Sequence, residues 1–138
     1  MIKAKIKICG IKDISTLDCC IKNKVDFYGL VFYSKSPRNI KFEKALELVN
    51  YSQNKPICSV GVFVNEPINQ MKKILKKLKI NCIQLHGQEN SDYIAEIKKN
   101  YPIKIIKNIP IKSSKDFLNI KNYYNTDMFL FDYKPSQN

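Results

Sequence analysis

The chain has 138 residues and carries 24 Lys+Arg against 12 Asp+Glu, a net charge of +12. That length suits one domain, 1–138, and 44% hydrophobic with 26% charged residues excludes a disordered chain. No apolar run approaches the ~18 residues that a membrane span needs. The opening Met1-Ile2-Lys3-Ala4-Lys5-Ile6-Lys7 alternates charge with apolar residues and has no signal-peptide core, so a cytoplasmic protein with no membrane partner is expected.

Two patterns alternate along the chain. Short β-branched or aromatic runs end near Cys9, Phe32, Val64, Leu85, Lys107 and Asp132. Between them, amphipathic spacing predicts helices over 13–24, 42–52, 67–79, 90–99 and 113–123. Start signals stand at Asp13, Glu66-Pro67, Asn90-Ser91-Asp92 and Ser113-Ser114. Strand–helix alternation at so short a period implies βαβ units and a parallel sheet. A doubly wound open sheet and a (β/α)8 TIM barrel both fit. The short, even spacing favours the barrel, and no Gly-x-Gly-x-x-Gly follows the first strand. Six strands and five helices are present, so the barrel is incomplete: a full one needs eight strands.

The positive charge is nearly all lysine, 23 Lys with Arg38 as the one arginine. Heavy use of Ile and Asn beside it suggests a chain-wide compositional drift. A nucleic-acid surface would use arginine forks and cluster its charge. The densest group, Lys72, Lys73, Lys76, Lys77 and Lys79, interleaves with Ile68, Met71, Leu75 and Leu78 and is expected to be the wet face of one helix. The five cysteines show no Cys-x-x-Cys pair, so neither a disulfide framework nor a metal site is signalled. Cys20, Cys58 and Cys82 are expected to be buried, whereas Cys9 stands before a glycine at a strand end.

In either architecture chemistry collects at the C-terminal ends of the strands. Those ends read Lys7-Ile8-Cys9-Gly10-Ile11; Tyr28-Gly29-Leu30-Val31-Phe32 leading to Ser34-Lys35-Ser36-Pro37-Arg38; Val60-Gly61-Val62-Phe63-Val64-Asn65; Ile83-Gln84-Leu85-His86-Gly87; and Phe129-Leu130-Phe131-Asp132.

Taken together, in this order and spacing, the five segments resemble the phosphoribosylanthranilate isomerase family of tryptophan biosynthesis, over about its N-terminal two-thirds. The resemblance implies a (β/α)8 barrel without metal or organic cofactor. It also implies an Amadori rearrangement of a phosphosugar substrate, the aminoaldose N-(5-phosphoribosyl)anthranilate, to 1-(2-carboxyphenylamino)-1-deoxyribulose 5-phosphate. That chemistry needs a proton on the furanose ring oxygen as the Schiff base forms, and then the loss of a proton from C2. The family's acid matches Asp132 and its base matches Cys9. Asp132 would have to hold its proton at neutral pH and Cys9 would have to lose its own. Arg38 matches the residue that binds the anthranilate carboxylate, a task suited to a bidentate fork. Gln84 and His86 share the match at strand 4; His86 either lines the pocket or holds a loop. Strand alternation puts Lys7 on the side of Cys9, where it either favours the thiolate or forms an ion pair inside the barrel.

The resemblance ends at Asp132-Tyr133-Lys134-Pro135-Ser136-Gln137-Asn138. The family continues into a glycine-rich loop and strands 7 and 8, whose loops grip the substrate phosphate. No phosphate-binding residue is therefore assigned here, and Gly10, Gly29, Gly61 and Gly87 form no cradle. A barrel without those strands has two unpaired edges, with Cys9 and Asp132 on them. The expectation is a truncated chain with little or no activity alone, or one half of a split enzyme completed by a C-terminal chain. A basic nucleic-acid-binding domain is the alternative of another class. No RRM, KH or helix-turn-helix pattern supports it, the Tyr and Phe residues fall mostly in core runs, and no nucleic-acid partner is expected.

Overall fold

The computed structural model describes residues 4–133. Residues 1–3 of the opening alternation, and 134–138 where the resembling segment runs out, lie outside the described residues.

Six strands alternate with helices: β1 (Lys7–Cys9), α1 (Ile14–Lys22), β2 (Phe27–Phe32), α2 (Phe42–Ser52), β3 (Cys58–Phe63), α3 (Ile68–Lys77), β4 (Cys82–Leu85), α4 (Ser91–Asn100), β5 (Lys104–Ile111), a 3₁₀ helix (Ser114–Asn122) and β6 (Met128–Tyr133). All the strands are parallel, in one sheet ordered as in the sequence. Sequential order with every crossover on one face curls the sheet into a barrel wall, so the fold is the incomplete (β/α)8 barrel. Among the described residues β1 pairs only with β2, and β6 only with β5.

The expected start signals work through their side chains at two helices. Asp13 Oδ1 accepts from Thr16 N at 2.7 Å, and Asn90 Oδ1 accepts from Tyr93 N at 3.0 Å. Ser113 and Asp116 form a capping box at the 3₁₀ helix. α3 starts at Pro67 without a side-chain cap. Its Met71 and Leu75 are buried while Lys73, Lys76 and Lys77 are exposed, which is the wet face the spacing predicts.

Three even-numbered strands are tied in at their N-terminal ends by the residue just before them. Asp26 accepts from Ile6 N, Asn81 from Ser59 N and Asp127 from Ile105 N, all at 2.7–2.8 Å. Each side chain satisfies a backbone N–H of the neighbouring strand, so register is set at the end away from the chemistry.

Alternate strand residues serve two cores. Tyr28, Leu30, Phe63, Ile83, Leu85 and Ile105 pack outward against Leu17, Leu48, Met71, Ile94 and Ile97 of the helices. Val60, Cys82 and Ile106 face inward with Phe27, Met128 and Leu130.

Four details differ from the expectation. β5 runs to Ile111 rather than ending near Lys107, because beyond Lys107 it still pairs with β6. The fifth helix is 3₁₀: none of its residues is buried, so no core contact selects an α-helical stripe. Cys58 is only half-buried, at the start of β3, while Cys20 and Cys82 are buried as expected. Tyr and Phe residues are expected mostly in core runs, but Phe117, Tyr124, Phe131 and Tyr133 are exposed.

Candidate active site

At the C-terminal ends of the strands lies a cleft of about 500 Å³. Lys7, Cys9, Arg38, Gln84, His86 and Asp132 all line it. The six residues singled out from the sequence are thus brought together from β1, the loop after β2, the β4 end and β6.

Glycines make room for two of them. Cys9 is registered opposite Gly29, and a Cβ at position 29 would lie 2.9 Å from Cys9 Sγ. Gly10 has φ +86°, and a Cβ there would meet Arg38 Cδ at 2.7 Å. A residue with a side chain at position 10 would therefore be strained and would displace the arginine stem from the end of β1. The loop carrying Arg38 is braced from several sides. Arg38 N donates to Ser36 Oγ at 3.2 Å, Lys12 Nζ donates to Pro37 O at 2.9 Å, and Ile40 N donates to Val31 O at 2.9 Å. Arg38 is exposed and lines the cleft.

Lys7 sits one inward step below Cys9. Burial holds its amino group below the ordinary lysine value. The neighbouring Cys9 thiol opposes that shift and the Arg38 charge adds to it. Between the two Lys7 expectations, the surroundings are a thiol and a second cation.

Gln84 is buried, and its Nε2 lies 3.3 Å from His86 Nδ1. The Gln84 Oε1 atom is buried without a hydrogen-bond partner, as is Asn108 Oδ1 on β5. Asn108 is registered with Leu130, a residue of the cleft, and alternates with inward Ile106. Sequence reasoning passed over Asn108. Its signal was a polar side chain inside the apolar run Ile105–Ile109.

It also passed over a buried ion pair behind the site. Lys107 Nζ meets Glu89 Oε2 at 3.1 Å, with side chains 1% and 2% exposed. A lysine in the middle of a β-branched run signals an acidic partner, because a lone buried ammonium is too costly to keep. Among the described residues no cluster of three or more His, Cys, Asp or Glu could hold a metal ion. Nor is any described helix long and apolar enough to cross a membrane.

Comparison with known proteins agrees with this geometry. The family model for N-(5'-phosphoribosyl)anthranilate (PRA) isomerase matches residues 6–138. The N-(5'-phosphoribosyl)anthranilate isomerase of Thermoanaerobacter pseudethanolicus is 38% identical over 128 residues, covering 93% of this chain and 60% of the relative. That of Paramagnetospirillum magneticum is 32% identical over 132 residues, covering 95% and 61%. The chain therefore spans about three-fifths of the length of these curated relatives. The phosphoribosyl anthranilate isomerase structure from Thermotoga maritima superposes with a TM-score of 0.88 at 29% identity, over 99% of this chain and 64% of that one. A phosphoribosyl anthranilate isomerase structure in complex with reduced 1-(o-carboxyphenylamino)-1-deoxyribulose 5-phosphate gives 0.84 at 30% identity, over 96% and 66%. With a family match running from residue 6 to residue 138 and a shared barrel wall beneath the cleft, the chain belongs to the N-(5'-phosphoribosyl)anthranilate isomerase family.

Proposed function

We propose that this chain supplies the acid–base half of a phosphoribosylanthranilate isomerase site, with Cys9 as base and Asp132 as acid. The observation that carries it is their convergence: a thiol from β1 and a carboxyl from β6 line one cleft with the single arginine. In this reading Asp132 donates a proton to the furanose ring oxygen. The C1–O bond breaks, and the anthranilate nitrogen lone pair forms the C1=N Schiff base. The Cys9 thiolate then takes the C2 proton; the electron pair left behind forms C1=C2 while the C1=N π pair returns to nitrogen, giving the enolamine. Loss of the C2 hydroxyl proton and protonation at C1 give the aminoketose. Arg38 holds the anthranilate carboxylate through its paired N–H groups, and Gln84 and His86 flank the sugar.

The site asks for no metal or organic cofactor in this scheme, because ring opening and rearrangement are both driven by proton transfers and the substrate's own nitrogen lone pair. No residue of this chain is assigned to the substrate phosphate. We further propose that 1–138 acts as a single barrel unit in the cytoplasm, and that full turnover needs the remaining barrel strands.

Genetic rescue tests the proposal. A tryptophan auxotroph lacking this isomerase is given the 138-residue chain alone, or with a separate polypeptide carrying the rest of a family member. Rescue is expected with the second polypeptide and little or none without it. Cys9→Ala and Asp132→Asn should each abolish it. Rescue that survives both substitutions, or no rescue in any combination, overturns the assignment.

A further inference from the structure

We infer that the buried Lys107–Glu89 pair is a positioning device that fixes the His86 ring in the cleft from the opposite face of the sheet. His86 is the first residue beyond β4, where the strand ladder ends, and its N–H makes one backbone bond, to Phe63 O at 2.9 Å. A side chain on so short a tether would swing unless the peptide groups on either side were held. The ion pair holds both. Lys107 Nζ donates to Leu85 O at 3.3 Å, in the peptide before His86, and to Gly87 O at 2.6 Å, one peptide further on. Glu89 completes the grip: Oε2 accepts from Gly87 N at 2.9 Å, and Oε1 accepts from Asn65 N at 2.7 Å, in the loop after β3. Asn65 Oδ1 accepts in turn from Gln88 N at 2.7 Å. The ammonium also lies 5.5 Å from the Tyr123 ring centroid.

Lys107 and Glu89 are almost wholly buried and do not line the cleft, so they act on it through residues 85–88 and Asn65. Held this way, His86 Nδ1 stays 3.3 Å from Gln84 Nε2, a contact that favours one ring tautomer and leaves the other ring nitrogen for a ligand. A charged pair suits the task better than apolar packing. It binds carbonyl and N–H groups of two loops at once, with fixed directions. The proposal rests on the functional reading above only in counting His86 among the site residues.

His86 is the single histidine of the chain, so its ring nitrogens can be followed by NMR without ambiguity. In the full 138-residue chain, the neutral ring is expected in one tautomer, with Gly87 and Asn65 amide protons protected. The Lys107 ammonium protons should exchange more slowly than those of surface lysines. The uncharged double variant Lys107→Met/Glu89→Gln should lose the tautomer preference and quicken Gly87 and Asn65 exchange by about tenfold or more, with the outward-core signals unchanged. A folded double variant that keeps the wild-type tautomer overturns the inference. Where the double variant does not fold, the wild-type chain decides. A mixed tautomer there, or a Lys107 ammonium that exchanges like a surface one, overturns it equally. Adding reduced 1-(o-carboxyphenylamino)-1-deoxyribulose 5-phosphate to the chain assembled with the polypeptide that carries the remaining strands separates the two claims. Ring signals that ignore it remove His86 from the substrate site and leave the positioning result to stand on the free-chain spectra.

Discussion

Cys9 Sγ sits over Gly29 so closely that a methyl group there would come within 2.9 Å of the sulfur and 3.1 Å of Cys9 Cα. The thiol thus occupies the space that the neighbouring strand leaves vacant. Gly29→Ala should push Cys9 out of the β1–β2 register at a cost of about 1–3 kcal/mol. Urea melts read that loss. Rescue of the auxotroph should fall with it, even at temperatures where the variant stays folded. A variant with wild-type stability and full rescue would show that the thiol position is not critical.

Lys7 gives a pH signature. Burial holds its folded pKa below the unfolded one, so the unfolded chain binds the extra proton between the two values. Stability attributable to this group therefore rises as pH climbs through that window. Below the window its buried charge is a standing cost. Lys7→Met should be more stable than wild type near neutrality, and the gap should close toward the ordinary lysine pKa. Chemical melts of both chains from pH 7 to pH 10.5, compared as a difference, check this. A gap that widens with pH contradicts it.

The cysteines should label in a fixed order. Cys19 is exposed, whereas Cys20 and Cys82 are buried. Burial, helped by nearby Cys58, pushes the Cys82 thiol up to about 11. Timed alkylation at pH 8 with peptide mass analysis should find Cys19 modified well before Cys20 and Cys82. Cys82 should stay unmodified until the fold is opened by denaturant.

Among the described residues β1 and β6 each leave one side unpaired, and these edges should make the chain self-associate. Ile6 is 52% exposed, Leu118 63% and Tyr133 72%, beside strands with one neighbour each. Edges of this kind invite a further strand. Light scattering behind a sizing column should give a mass above the 16.1 kDa monomer, rising with concentration. Charged substitutions at Leu118 and Phe131 should lower it.

Much of this fold is legible in the amino-acid order because its signals are local. Asp13 and Asn90 announce helix starts by side-chain chemistry that needs no tertiary partner, and β-branched runs mark the strands between them. The site residues are legible for a different reason: parallel strands deliver whatever stands at their C-terminal ends to one rim, so Cys9, His86 and Asp132 converge once the alternation is seen. What escapes is set by partners distant in sequence. Lys107 reads as a strand-end charge until the structure shows Glu89, eighteen positions earlier, waiting for it. The fifth helix has a good cap yet buries nothing, and a cap alone cannot say which helical pitch follows. Phe131 and Tyr133 look like core residues by type, and only the sheet order shows that they flank an unpaired edge.

The fit between Asn65 and Gly87 constrains how this protein can change. Asn65 holds a left-handed turn at φ +53°, with its side-chain oxygen where a Cβ on residue 87 would have to go. A Cβ at 87 would also lie 2.8 Å from the Asn65 backbone N, so no smaller residue at 65 makes room for it, whereas shrinking 65 forfeits the bond to Gln88 N. Mutational libraries over the two loops should therefore keep glycine at 87 whatever stands at 65, while tolerating some change at 65 itself.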